Sequence, residues 1–213
     1  MTDPWNINMF PTNTSGQVDL EAVEKLLQRD KPALVSVMLV NNETGVIQNV
    51  SSIADMARAQ GAIIHTDAVQ GFGKIPVDFS VLKVHAMTLS AHKIYGPKGA
   101  AALIIDKRLM LRPLIYGGGH ENGLRSGTEN VAAIVGLGAA CELAQSRLDE
   151  TTKHILPLQE HLEKGLLAMG AVIFGAEVPR VTNTCYFALP DIEGDTLVVK
   201  LDKAGFAVAA GAA

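Results

Sequence analysis

The chain has 213 residues, 48% hydrophobic and 19% charged, a globular composition too apolar for disorder, and its length suits one to two domains of roughly 150 residues. Lys and Arg number 18 against 22 Asp and Glu, so a net charge of −4 leaves no basic surplus for a nucleic-acid backbone, and two cysteines exclude a disulfide scaffold or a Cys-rich zinc module. No apolar run approaches the roughly twenty residues of a membrane span, and Met1-Thr2-Asp3-Pro4 lacks the basic and apolar regions of a signal peptide, so a soluble cytoplasmic protein is expected.

Residues 1–17, with Pro4, Pro11 and Gly16, read as an extended opening segment. Leu20, Val23, Leu26 and Leu27 recur at helical spacing and predict a helix over Leu20–Gln28. The continuous run Ala33–Val40, followed by Asn41-Asn42, predicts a strand buried on both faces. A helix over Ser51–Gln60, with Ser51 or Ser52 as its cap, leads to a second buried strand at Gly61–Thr66, and Val84–Leu89 and Gly99–Ile105 predict two more. Strands alternating with helices argue for an α/β layer with a mostly parallel sheet and helices on its faces.

Glu129–Leu148 reads as a long helix rich in Ala and Gly on one face, and Thr152–Met169 as a second that Pro157 kinks or starts. Short strands at Ala171–Phe174, Asn183–Leu189 and Phe206–Ala209 flank a helix at Asp195–Ala204. This divides the chain into part of a large α/β domain over 1–128, then connecting helices and part of a small α+β domain over 129–213. The closing AGFAVAAGAA stops where a loop is expected to begin.

The chemistry-bearing residues fall just after the predicted strands. Asn41-Asn42-Glu43 follow the first, Asp67 and Gln70 the second, and Ser90, His92 and Lys93 the third. Ligands of open α/β sheets bind at the carboxyl ends of strands, so these groups are placed to converge on one crevice. A carboxylate ending a buried strand needs a cation, either as a helix cap or salt bridge or as the partner of a protonated cofactor ring nitrogen, which Asp67 suits. Lys93 stands in SAHKIYGPKG between a buried strand and a Gly/Pro turn, the fixed setting a Schiff-base lysine needs, although most lysines are solvated surface charges. Ser90 and His92 are placed to donate to a phosphate beside it. The loop GGGHENGLRSGT over 117–128 runs into a helix whose first turn is expected to hold Glu129; its amides, Arg125 and Thr128 suit an anion, or the loop is simply flexible. Gly71-Phe72-Gly73-Lys74 imitates the end of a Walker loop, but Ala68 and Ile75 stand where Gly and Ser or Thr belong. His65 and Asp67 share a strand face without an evident third ligand, so no metal site is expected. Cys141 and Cys185 read as buried core cysteines.

The runs NNETGVIQ, HTDAVQGFGKIPVDFS, SAHKIYGPKG and GGGHENGLRSGTEN together resemble the cysteine desulfurases, pyridoxal-phosphate enzymes of the class V aminotransferase fold, over nearly the whole chain. The resemblance implies the C-terminal part of a fold-type I pyridoxal-phosphate large domain and part of the small domain. It implies that Lys93 forms the internal aldimine and carries protons, that Asp67 meets the pyridinium nitrogen, and that Gln70 bonds the phenolic oxygen. Ser90 and His92 match phosphate ligands, Asn42 a residue near the cofactor oxygen and substrate carboxylate, and Thr128 a phosphate contact donated across a homodimer interface. L-cysteine would be converted to L-alanine, with sulfur passed as a persulfide to an acceptor or iron–sulfur scaffold protein. The family begins well over a hundred residues upstream of Met1 and places its nucleophilic cysteine just beyond Ala213, with a carboxylate-binding arginine later. Neither Cys141 nor Cys185 matches that nucleophile. The resemblance therefore implies a chain truncated at both ends and inactive alone, with an exposed sheet edge and apolar patch that favour association. Rival readings are another class V lyase or aminotransferase, or a non-catalytic dimer partner.

Overall fold

The computed structural model describes residues 6–211. Met1–Pro4 therefore lie outside the described residues, and the segment from residue 6 to Asp19 is not extended throughout: it folds back in a turn at residues 14–16, closed by an antiparallel bridge between Thr12 and Val18. Helix α1 (Leu20–Asp30) begins where the Asp19 carboxylate accepts the N–H groups of Glu21 at 2.9 Å and Ala22 at 3.1 Å, and ends at Lys31, which turns into the left-handed region with φ 44°. Val23 and Leu27, one turn apart, are its buried face. Helix α2 (Val50–Ala59) is capped by Asn49 and not by either serine: the Asn49 side chain accepts the Ser52 N–H at 3.3 Å, and Ser51 donates its hydroxyl to the same oxygen. Its Val50, Ile53, Ala54 and Ala57 are buried.

Strands β1 (Leu34–Met38), β2 (Ile63–Asp67), β3 (Ala86–Ser90) and β4 (Ala101–Ile105) lie side by side in that order. The first three are parallel and β4 runs antiparallel to β3, so the sheet is mostly parallel, as the alternating pattern predicts. A short helix α3 (Phe79–Leu82), capped by the Asp78 carboxylate, leads into β3.

The prediction of strands buried on both faces fails. Val35 and Val37 are 3% and 6% exposed, yet their neighbours Leu34 and Met38 are 58% and 39% exposed. Val35, Val37, Ile64, Met87 and Leu89 face α1 and α2 and form the core with Ile53, Leu27 and Val23. Each fully buried aliphatic side chain there contributes about 1.5–3 kcal/mol. Leu34, Met38, Ile63 and Leu103 share the opposite, exposed face, so an apolar patch of the expected kind is present. On that same face Ser36 Oγ lies 2.8 Å from His65 Nδ1, and His65 Nε2 lies 3.3 Å from Thr88 Oγ1, a polar chain spanning three strands.

Helix α4 (Val131–Ser146) is followed directly by α5 (Leu148–Ala168), and the two meet at 66°. The turn falls at Arg147; α5 starts before Thr152 and continues through Pro157, which therefore does not start it. Strands β5 (Val172–Ile173) and β6 (Phe187–Ala188) pair antiparallel, and helix α6 (Gly194–Lys203) follows. The strand expected at Phe206–Ala209 does not form: the segment lies outside any sheet, with Phe206 and Val208 exposed. Val181 enters the main core, its N–H donating to the Gly45 carbonyl at 2.9 Å while the Ile47 N–H donates to that of Pro179 at 2.9 Å. Among the described residues no single helix is long and apolar enough to cross a membrane.

Candidate functional site

The carboxyl ends of the three parallel strands carry the polar groups, and each is placed by its own turn. After β1, the Asn41 side-chain oxygen accepts the N–H of Glu43 at 3.0 Å, the N–H of Thr44 at 2.9 Å and the Thr44 hydroxyl at 3.1 Å. Asn41 therefore builds the turn, an Asx arrangement, and Asn42 is left exposed beside it. β2 ends at Asp67, whose Oδ1 accepts the Val69 N–H at 2.9 Å and starts the bend that carries Gln70. Asp67 is exposed, not buried, because it lies on the open face of the sheet. Contrary to the expectation from the sequence, Asp67 needs no cation to offset burial.

β3 ends at Ser90 and passes into a 3-10 turn, Ala91–Ile94, that holds His92 and Lys93. Tyr95 closes this turn in the left-handed region at φ 64°. Lys93 lines a cleft of about 330 Å³ together with Met38, Val40, Asn42, Asp67, Val69 and Gln70. Four predicted site residues, Asn42, Asp67, Gln70 and Lys93, thus meet in one cavity. The apolar lining of Met38, Val40 and Val69 was not singled out in the sequence, although Val40 adjoins Asn41 and Val69 adjoins Gln70.

Ser90 and His92 do not line this cleft. They pair with each other instead, Ser90 Oγ lying 2.7 Å from His92 Nδ1, at the base of the lysine turn. Thr128 is exposed in the 117–128 loop and also lies outside the cleft. That loop is braced locally: His120 Nδ1 meets Glu129 Oε1 at 2.5 Å, and the Arg125 guanidinium donates to the Ser126 carbonyl at 3.0 Å. The Glu129 carboxyl is held below its ordinary value by its own backbone N–H and then by His120. Glu129 precedes α4 and is not in its first turn, because Asn130 caps that helix through the Ala133 N–H at 3.2 Å.

The Ala/Gly face of α4 seats the lysine turn. A Cβ on Gly136 would lie 2.9 Å from Pro97 Cγ, and one on Gly96 would lie 3.0 Å from Ala140 Cβ. Ala91, Ala100 and Ala133 form a small buried cluster between them. Small residues are what allow helix and turn to approach this closely.

The two cysteines are half-buried rather than core residues, and neither lines the cleft. Burial raises the Cys141 thiol, and burial with nearby Glu163 pushes that of Cys185 up to about 11. Both are poor thiolates. His65, beside the cleft end of β2, is lowered by burial against the opposing charge of Asp67.

A sequence model of the family described as Aminotransferase class-V matches residues 2–213. The cysteine desulfurase of Gluconacetobacter diazotrophicus is 40% identical over 209 residues, covering 97% of this chain and 52% of that protein. Cysteine desulfurase NifS of Azotobacter vinelandii is 37% identical over 214 residues, covering 100% of this chain and 53% of its own length. Among solved structures, a NifS-like protein from Rickettsia africae superposes with a TM-score of 0.91 at 38% identity, over 95% of this chain and 57% of that one. The chain spans about half the length of the curated relatives it matches.

Proposed function

Because the chain belongs to the class-V aminotransferase family, we propose that it provides the lysine side of a pyridoxal-phosphate site whose activity is that of a cysteine desulfurase, converting L-cysteine to L-alanine and passing sulfur on as a persulfide. The observation that carries this reading is the single cleft lined by Lys93, Asp67, Gln70 and Asn42. These groups suit the cofactor. Asp67 gives one oxygen to the Val69 N–H, which leaves the other for a protonated ring nitrogen. Gln70 offers a carboxamide to the phenolic oxygen, and Lys93 an amine to the aldehyde.

When bound, pyridoxal phosphate supplies an electron sink for bond breaking at the amino-acid α-carbon. The chain's own side chains do the rest. Asp67 keeps the ring nitrogen protonated by its negative charge. Lys93 Nζ would hold the cofactor and would carry the proton taken from the substrate α-carbon. Asn42 orients the substrate carboxylate. The Ser90–His92 pair holds phosphate beside the lysine turn. Thr128, exposed and outside this cleft, reaches the phosphate held by a second copy in a homodimer. With raised thiols outside the cleft, neither Cys141 nor Cys185 is the sulfur acceptor. The sulfur goes to an acceptor or an iron–sulfur scaffold protein in the cytoplasm.

Borohydride reduction of the purified protein with pyridoxal phosphate, followed by intact mass and peptide mapping, tests this. The expected result is one reduced cofactor on Lys93, lost in Lys93→Ala. An unmodified mass in folded protein refutes cofactor binding by this chain. In unreduced, cofactor-loaded protein, a visible absorption that responds to another amino acid but not to L-cysteine refutes the desulfurase reading.

A further inference from the structure

Lys74 has no role in the site described above. It belongs to the discarded Walker-like run, is partly buried, and follows Gln70 by four residues. The loop between them is rigid: the N–H groups of Gly71 and Phe72 donate to the Ala68 carbonyl at 3.0 and 2.9 Å, and those of Lys74 and Ile75 donate to the Gly71 carbonyl at 3.0 Å each. A Cβ on Gly71 would lie 2.8 Å from Leu39 Cδ2, so the loop is pressed against the end of β1. Within it the Lys74 ammonium donates to Gln70 Oε1.

Gln70 lines the lysine cleft, whereas Lys74 lines a second cavity of about 340 Å³ beside α5 with Asp149, Lys153 and Arg180. The ammonium thus stands behind Gln70. This fixes a polarity. An ammonium has three donors and no acceptor, so only the carbonyl end of the carboxamide can face it. The two ends of a carboxamide have nearly the same shape, and partners alone decide which way it points. With Oε1 committed to Lys74, Nε2 is the end left for the cleft. Burial and the charge of Lys93 both lower the Lys74 pKa.

We propose that Lys74 is a positioning residue that locks Gln70 with its NH₂ toward the cleft, so that the cleft accepts an anionic or carbonyl oxygen there and rejects a hydroxyl donor. Identifying that oxygen as the cofactor's phenolate rests on the function proposed above. The lock itself does not.

The test has two arms. In ¹⁵N-labelled protein without cofactor, the Gln70 Nε2H₂ signals are expected to report a restrained amide in the native chain and in Lys74→Arg, which keeps a donor-only group, and a mobile one in Lys74→Met. An unchanged amide in folded Lys74→Met overturns the lock. In the second arm, the dissociation constant for pyridoxal phosphate rises about fivefold in Lys74→Met, the effect of one net hydrogen bond of about 1 kcal/mol, and is restored in Lys74→Arg. In a Gln70→Leu background Lys74→Met adds nothing further. Equal loss in both backgrounds means that Lys74 acts only as positive charge, which overturns the proposal. Absence of cofactor binding in the native chain fails the proposed function, and the amide signals still decide the lock.

Discussion

Gly73 offers a sharp test of how the lysine turn is held. Its φ of +77° lies in the left-handed region, and an added Cβ would lie 2.9 Å from Ile94 Cγ2 and 3.0 Å from Ala144 Cβ. Gly61 has nearly the same backbone, φ +76°, with nothing within 4 Å of its Cβ position. Alanine at either site incurs the left-handed penalty of about 1–2 kcal/mol. Only Gly73→Ala adds overpacking, about 1–3 kcal/mol where the neighbours cannot yield. They cannot yield easily, since Ile94 is buried in the lysine turn and Ala144 lies on α4 behind it. Urea denaturation of the two variants is therefore expected to place Gly73→Ala below Gly61→Ala by about 1–3 kcal/mol. Because Ile94 follows Lys93, borohydride labelling of Lys93 is also expected to fall in Gly73→Ala and to persist in Gly61→Ala. Two variants of equal stability within about 0.5 kcal/mol would falsify the close seating of turn on helix.

Two further predictions concern the neighbouring turns and pH. Asn41→Ala removes an acceptor of three hydrogen bonds and is expected to destabilise by about 1–2 kcal/mol in denaturation; Asn42→Ala is expected to leave stability unchanged and weaken cofactor binding, and the reverse pattern contradicts the division of labour. His85 accepts the Ile64 N–H on Nδ1 at 3.0 Å, and its pKa is lowered by burial and by Arg58 and Arg108 against Asp106, while burial lowers that of His65. For both, the unfolded chain takes up protons before the native one, so their contribution is complete above the ordinary histidine value of about 6.5 and is lost as pH falls through that value toward the lower native ones. The urea midpoint is expected to drop between about pH 7 and 5, less steeply in His85→Gln; a flat profile contradicts the assignment.

The α/β alternation and the crevice were legible in the sequence because short apolar runs each ended in polar residues, Asn42, Asp67 and Ser90 among them. One-sided burial was not legible, because β1 reads apolar on both faces: Leu34 and Met38 look like Val35 and Val37 until neighbours are placed. Asn49 was missed because Ser51 and Ser52 are equally good caps by type. Pro157 was overread as a boundary; α5 simply carries it. The Ala/Gly face of α4 was visible, but its purpose needed Pro97, Gly96 and Gly73 to be brought against it. Lys74 had a signal, its spacing of four from Gln70, that a nucleotide-loop comparison obscured. The Phe206–Ala209 run had strand composition, yet composition does not supply a partner strand.

The antiparallel fourth strand has a consequence for Lys93. Ser90 and Ala101 are paired across β3 and β4, and the Ala91 N–H donates to the Ala100 carbonyl at 3.0 Å, so the lysine sits in a short loop whose mouth is already closed by the sheet. The conformational entropy of closing that loop is lost when the hairpin folds, not when a ligand arrives. On the proposed function Lys93 would therefore be a preorganised anchor: only its side-chain torsions would be left to order on binding, with no induced fit in the backbone beneath it.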